Sequence, residues 1–142
     1  MPPTSPKNDS PRRTASARLE GLAVSEIEKL PPDYWVFKFG NGVTLSTQSQ
    51  WRLFSQNAIL LTSEDDGQQY GLPEPVDAVA RIRELLESRV VSKVEVDQPS
   101  ADFNIYFDNE TVLQIVNLSS GYERWTLDSE GDLLMVGRNG CS

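Results

Sequence analysis

The chain contains no histidine and a single cysteine. Without histidine it lacks the commonest general base, the Ser-His and Cys-His nucleophile pairs and every histidine-containing metal site. A zinc site is excluded on that ground, and the sequence predicts a protein that is not an enzyme and needs no cofactor. Cys141 stands one residue from the end, so no intrachain disulfide can form and the thiol is expected to be incidental. No run approaches the ~18–20 apolar residues that a membrane span needs. The N-terminus has no apolar core of the secretory-signal kind, which predicts a cytoplasmic location. Basic residues are also scarce, with 13 Lys and Arg against 21 Asp and Glu, a formal charge of −8. Four of the bases and only two of the acids fall in residues 1–22, so the rest of the chain is more acidic still. A field of that sign repels nucleic acid phosphates and draws basic proteins inward.

A recurrence dominates what is present. Trp51, Leu53, Ser55 and Ile59-Leu60-Leu61 return as Trp125, Leu127, Ser129 and Leu133-Leu134-Met135 at an offset of 74. Upstream, Val24-Ser25-Glu26-Ile27-Glu28 returns as Val91-Ser92-Lys93-Val94-Glu95 at an offset of 67. Between them Trp35, Phe37 and Phe39 match Phe103, Ile105 and Phe107, and Leu45 matches Leu113, at 68. The offset grows only in loops, mostly across Ser119 to Arg124, as expected for a β module written twice.

At 142 residues the chain has the length of one domain. Residues 1–21 are rich in Pro, Ser and charge and predict a disordered arm. A single domain follows over 22–140, built of repeat 1 (22–63), a helix (74–88) and repeat 2 (90–137). Trp35, Phe37 and Phe39 alternate with Val36 and Lys38, the period of a strand with one buried face. Asn41-Gly42 is a hairpin signal leading back through Val43, Leu45 and Thr47. Trp51 and Leu53 open a further strand, Ser55 to Asn57 turn it, and Ala58 to Leu61 return. Val76, Val79, Ile82, Leu85 and Leu86 fall at helical spacing, with Pro75 at the first helical position. Residues 138–142 read as a tail. The fold class is therefore α+β: two tandem antiparallel β-meander modules with one linking α-helix packed on the sheet.

Three places carry chemistry-bearing side chains. Glu28 and Glu95 occupy matching repeat positions, and a hydrolase would need such a pair of carboxylates facing across a cleft. Glu64-Asp65-Asp66-Gly67 lacks the alternating oxygen ligands of an EF-hand and reads as a solvated acidic turn. The three tryptophans lie in periodic strands and are expected in the core. Tyr70 and Tyr122 lie in loops outside any periodic run. With Glu64, Asp65, Asp66 and Glu123 they form the predicted contact surface for a basic protein partner.

The Phe39-Gly40-Asn41-Gly42-Val43-Thr44-Leu45 hairpin, the Trp51 strand, the linking helix and the second copy resemble a family of small acidic bacterial proteins of unassigned function. The resemblance spans about Leu22 to Gly140. In size and charge such proteins are similar to immunity proteins that accompany bacterial toxins. What the resemblance implies is a non-enzymatic inhibitor covering a basic toxin or effector. A self-associating scaffold, with a homodimer through exposed strand edges, is the alternative.

Overall fold

The computed structural model describes residues 10–118, 124–138 and 140–141, except the side chains of residues 10–13, 138, 140 and 141. The chain opens with α1 (Ser10–Leu19) and runs into β1 (Val24–Leu30), β2 (Tyr34–Phe39) and β3 (Val43–Thr47). Next come β4 (Gln50–Phe54), β5 (Ile59–Thr62), α2 (Ala78–Leu86) and β6 (Val91–Val96). β7 (Phe103–Phe107), β8 (Val112–Val116), β9 (Trp125–Ser129), β10 (Asp132–Arg138) and the short β11 (Gly140–Cys141) complete it. The α+β class expected from the sequence is observed, as two antiparallel sheets with a helix on either side.

The strands form where apolar residues alternate. β7 and β8 bury Phe103, Ile105, Phe107, Leu113 and Ile115 and turn the residues between them outward. Asn41 and Gly42 both take the left-handed backbone region, which closes the β2–β3 hairpin as the Asn-Gly pair predicts.

The sheets are not one per module. One has the order β1-β2-β3-β9-β10-β11 and the other β5-β4-β8-β7-β6, so each draws strands from both halves of the chain. The uninterrupted meanders expected from the sequence are not what forms, because β3 does not pair with β4 nor β8 with β9. The far side of β3 is taken by β9, with Leu45 opposite Leu127 and Thr47 opposite Trp125. In the other sheet β8 pairs with β4, with Leu113 opposite Leu53 and Ile115 opposite Trp51. After β3 and again after β8 the chain therefore crosses to the facing sheet. The crossing brings Trp51 edge-on to Trp35 at 4.9 Å and Trp125 edge-on to Phe103 at 4.7 Å, aromatic contacts that tie the sheets into one core. All three tryptophans are buried, as expected.

The helices sit at opposite sides of this sandwich. α2 packs against β1 and β5, and α1 against β6 and β10. Asp77 caps α2 by accepting the Ala80 N–H at 3.1 Å, and Ala78, Ile82 and Leu86 face the core. The helix thus starts after Pro75 rather than on it, because the nearest side chain able to cap it is Asp77.

α1 corrects the part of the expected arm that falls on Ser10–Leu19, while residues 1–9 lie outside the described residues. α1 is an ordered helix, and Ala15 and Leu19, one turn apart on one face, are completely buried. Burying a leucine contributes roughly 1.5–3 kcal/mol, and backbone bonds add to the docking. Gly21 N–H donates to Val91 O at 2.8 Å, and Val91 N–H returns to Leu22 O at 2.8 Å. The same two bonds recur from the other side, as Ser88 N–H to Val24 O at 3.1 Å and Val24 N–H to Arg89 O at 2.9 Å. Averaged composition hides so short an apolar stripe. The expected C-terminal tail also needs correction, since Gly140 and Cys141 pair back on β10.

Candidate protein-docking groove

β5 carries three apolar residues in succession, Ile59, Leu60 and Leu61, and a strand cannot turn all three inward. Its pairing with β4 shifts between Leu53 and Phe54, so that Leu61 is buried while Ile59 and Leu60 are 55% and 37% exposed. β5 is also an edge of its sheet. The loop that follows is closed by its own carboxylates. Thr62 accepts the Glu64 N–H at 3.2 Å, and Asp65 accepts the Thr62 N–H at 2.9 Å. Asp65 also takes the Tyr70 hydroxyl at 2.7 Å, which raises the tyrosine's pKa. Gly67 N–H and Val76 O meet at 2.8 Å across the loop base, leaving Tyr70 and Leu72 at its tip, 67% and 49% exposed.

Asp66 is turned the other way. It accepts Lys29 Nζ at 2.7 Å and the Ala78 N–H at 2.9 Å, joining β1, the loop and the start of α2. Partial burial pushes its carboxyl up, but the lysine bond, the amide bond and the lysine charge together pull it below the ordinary value. The Asp66 bond in turn raises Lys29, against the opposing effect of burial.

Between β5, the loop tip and α2 lies a groove of about 500 Å³. Leu60, Leu72 and Val76 give it apolar walls, and Tyr70 overhangs it. Asp65, Glu74, Asp77 and Glu84 carry acid around it against the single guanidinium of Arg81, which pairs with Glu84 at 3.3 Å. Of the sequence-predicted residues, Asp65 and Tyr70 line this groove. Glu64 does not line it and accepts the Gln50 side chain at 3.1 Å, and Asp66 braces the loop from behind. The expected free acidic turn is therefore partly a structural one, because two of its carboxylates hold the loop shut. Tyr122 and Glu123 lie outside the described residues. Sequence reasoning missed Leu60, Leu72, Glu74 and Glu84. The run of three apolar residues in β5 was the available signal for the first.

Glu28 and Glu95 stand on strands of different sheets. Glu28 lies 3.6 Å from Lys38, and Glu95 lies 3.4 Å from Lys93 and takes the Tyr106 hydroxyl. Two described carboxyls, Glu26 and Asp66, are displaced from their ordinary range, and both move down. A bond shared with Glu28 and the Lys38 charge lower Glu26. That is the direction of an acid held by partners, opposite to that of a general acid. Among the described residues no cluster of His, Cys, Asp and Glu is suited to a metal ion, and no helix is long and apolar enough to cross a membrane. Comparison with protein-family models, curated proteins and solved structures finds no match.

Proposed function

We propose that this chain is a non-enzymatic, cytoplasmic protein-binding domain that covers a basic partner, in the manner of an immunity protein or inhibitor neutralising a toxin or effector. The observation that carries the reading is the groove between β5, the loop and α2, where exposed apolar side chains are ringed by acids. Apolar walls supply affinity and the charged rim supplies steering and selectivity for a partner of opposite sign. Leu60, Tyr70 and Leu72 make the apolar contact, Glu74 and Glu84 the charged one, and Asp65 and Asp66 hold the loop in shape. Co-purification of the full chain with a stoichiometric basic protein tests this. The complex should be salt-sensitive and should weaken at least tenfold when Glu74→Lys and Glu84→Lys are combined. Retention of full affinity by that variant counts against the groove. A salt-insensitive homodimer favours self-association, the second reading, which the exposed edge strand β5 supports.

We also infer that the two halves are copies of one unit, each beginning with a helix and exchanging its last strands with the other. The matching registers of β3–β9 and β8–β4 support this. So do the reciprocal bonds at Gly21 and Ser88, and at Gly40 and Asp108, whose N–H groups donate to Ala23 O and Val90 O.

A further inference from the structure

A second cavity, of about 260 Å³, is lined by Gln48 and Ser49 between β3 and β4 and by Leu118 and Arg124. Trp35 and Leu118 give it an apolar side, and Asp33, Glu64 and Arg124 bring charge of both signs to it. The backbone of Arg124 is fixed on both sides. Its N–H donates to Gly137 O at 2.8 Å, and its carbonyl accepts the Gln48 N–H at 3.1 Å and the Thr47 hydroxyl at 2.5 Å. Its side chain is not. Among the described residues Arg124 makes no ion pair, and its buried Nε–H has no hydrogen-bond acceptor. In a chain with an excess of acids, a half-buried guanidinium without an acceptor is an unsatisfied group that a ligand would complete.

The two halves differ at this place. In the second half the Ala101 carbonyl takes the Trp125 indole N–H at 2.6 Å. The matching loop position in the first half is Asp33, which lines the cavity, and the buried Trp51 indole N–H has no acceptor. The loop that supplies an acceptor to one tryptophan supplies none to its counterpart.

The charges choose the ligand. An anion would meet Arg124 but also Asp33 and Glu64, and a cation would meet the acids but also the guanidinium. Arg124 and Glu64 line one small volume without pairing with each other. A molecule carrying a carboxylate and an ammonium a short distance apart satisfies both. We propose that this cavity binds a small zwitterion of the free amino acid class, with its carboxylate on Arg124, its ammonium at Glu64 and Asp33, and its side chain against Trp35 and Leu118. This site is independent of the docking groove.

The test uses the full chain and a panel of the free L-amino acids. Thermal unfolding and the intrinsic fluorescence to which Trp35 contributes are read alongside calorimetric titration. At least one amino acid should bind with a Kd on the order of 1 mM or tighter. Arg124→Gln and Glu64→Gln should each weaken it tenfold or more. Each variant's unliganded Tm and circular dichroism report whether the fold is intact. The N-acetylated amino acid and the corresponding amine without its carboxyl should both fail to bind. Equal binding of the acetylated form would make this a plain anion site, and equal binding of the amine a cation site; either result overturns the proposal. So does a panel in which no member changes Tm or fluorescence at 10-fold above that concentration, about 10 mM.

Discussion

Trp51 and Trp125 make the same edge-on aromatic contact across the core, yet only Trp125 finds an acceptor for its indole N–H. The backbone around them matches in register, and the loops beside them do not. Similar contrasts recur along the chain. α1 and α2 occupy matching sites at opposite sides of the sandwich, but one fills its site with Ala15 and Leu19 and the other with Ala78, Ile82 and Leu86. Lys29, which ties β1 to Asp66, matches the buried Val96 at an offset of 67. Packing and pairing are thus held in common, while polar side chains at loops and rims set the halves apart.

The strongest way to break the comparison is to cut the cores under the two helices. Leu19→Ala and Leu86→Ala should each cost about 3 kcal/mol in urea unfolding, since both side chains are fully buried. A cost below about 0.5 kcal/mol for Leu19→Ala would make α1 an appendage and end its equivalence with α2. Next in size is Gly137→Ala. A Cβ there would lie 2.0 Å from Trp125 Nε1, whereas the matching position at an offset of 74 is Ser63. Overpacking should cost about 2 kcal/mol at Gly137 and exceed the effect of Ser63→Ala, which removes only an acceptor for the Trp51 backbone N–H at 3.0 Å.

Trp51→Phe against Trp125→Phe sharpens the contrast further. Both lose the same volume, but only Trp125→Phe leaves the Ala101 carbonyl without its donor. The second substitution should therefore be the costlier by about 1–2 kcal/mol, and equal denaturation midpoints would argue that Trp51 has an acceptor after all.

The smallest effect is the ion pair that the second half lacks. Asp66 is held below its ordinary value of 3.8, so its contribution is present above that pH and is lost as pH falls through the lowered value. Lys29 is raised above 10.5, so its contribution is present below that pH and is lost as pH climbs through the raised value. Stability should be flat in this respect between about pH 4 and pH 10. Lys29→Met should cost about 1 kcal/mol there and flatten the acid limb, as unfolding midpoints measured against pH would record.

Much of this was legible in the sequence, and what escaped did so for physical reasons. Alternation placed Trp35, Phe37, Phe39, Phe103, Ile105 and Phe107 correctly because a half-buried strand has a period of two. Recurrence of the Trp51 pattern at Trp125 marked equivalent strands. Neither signal says which half supplies a strand's neighbour, since pairing partners across a sheet leave no local trace; the exchange of β4–β5 for β9–β10 was therefore invisible. The helix at Ser10–Leu19 was lost in a charged, proline-containing segment whose apolar face is only two residues deep. In the groove, Tyr70 stood out because it lies in no periodic run. Asp65 and Asp66 looked free, because hydrogen bonds that close a loop depend on a backbone path the sequence does not display.

The exchange of strands also dictates the order in which a nascent chain can finish folding. When β3 has left the ribosome, its outer edge must wait for β9, some eighty residues later, with Leu45 and Thr47 still lacking Leu127 and Trp125. Neither sheet can close on the products of one half. Contacts this distant in sequence slow folding and prolong the exposure of open edges. A chain stopped short of Trp125 would lose not a terminal trimming but the interior neighbour of a strand made near the start of translation.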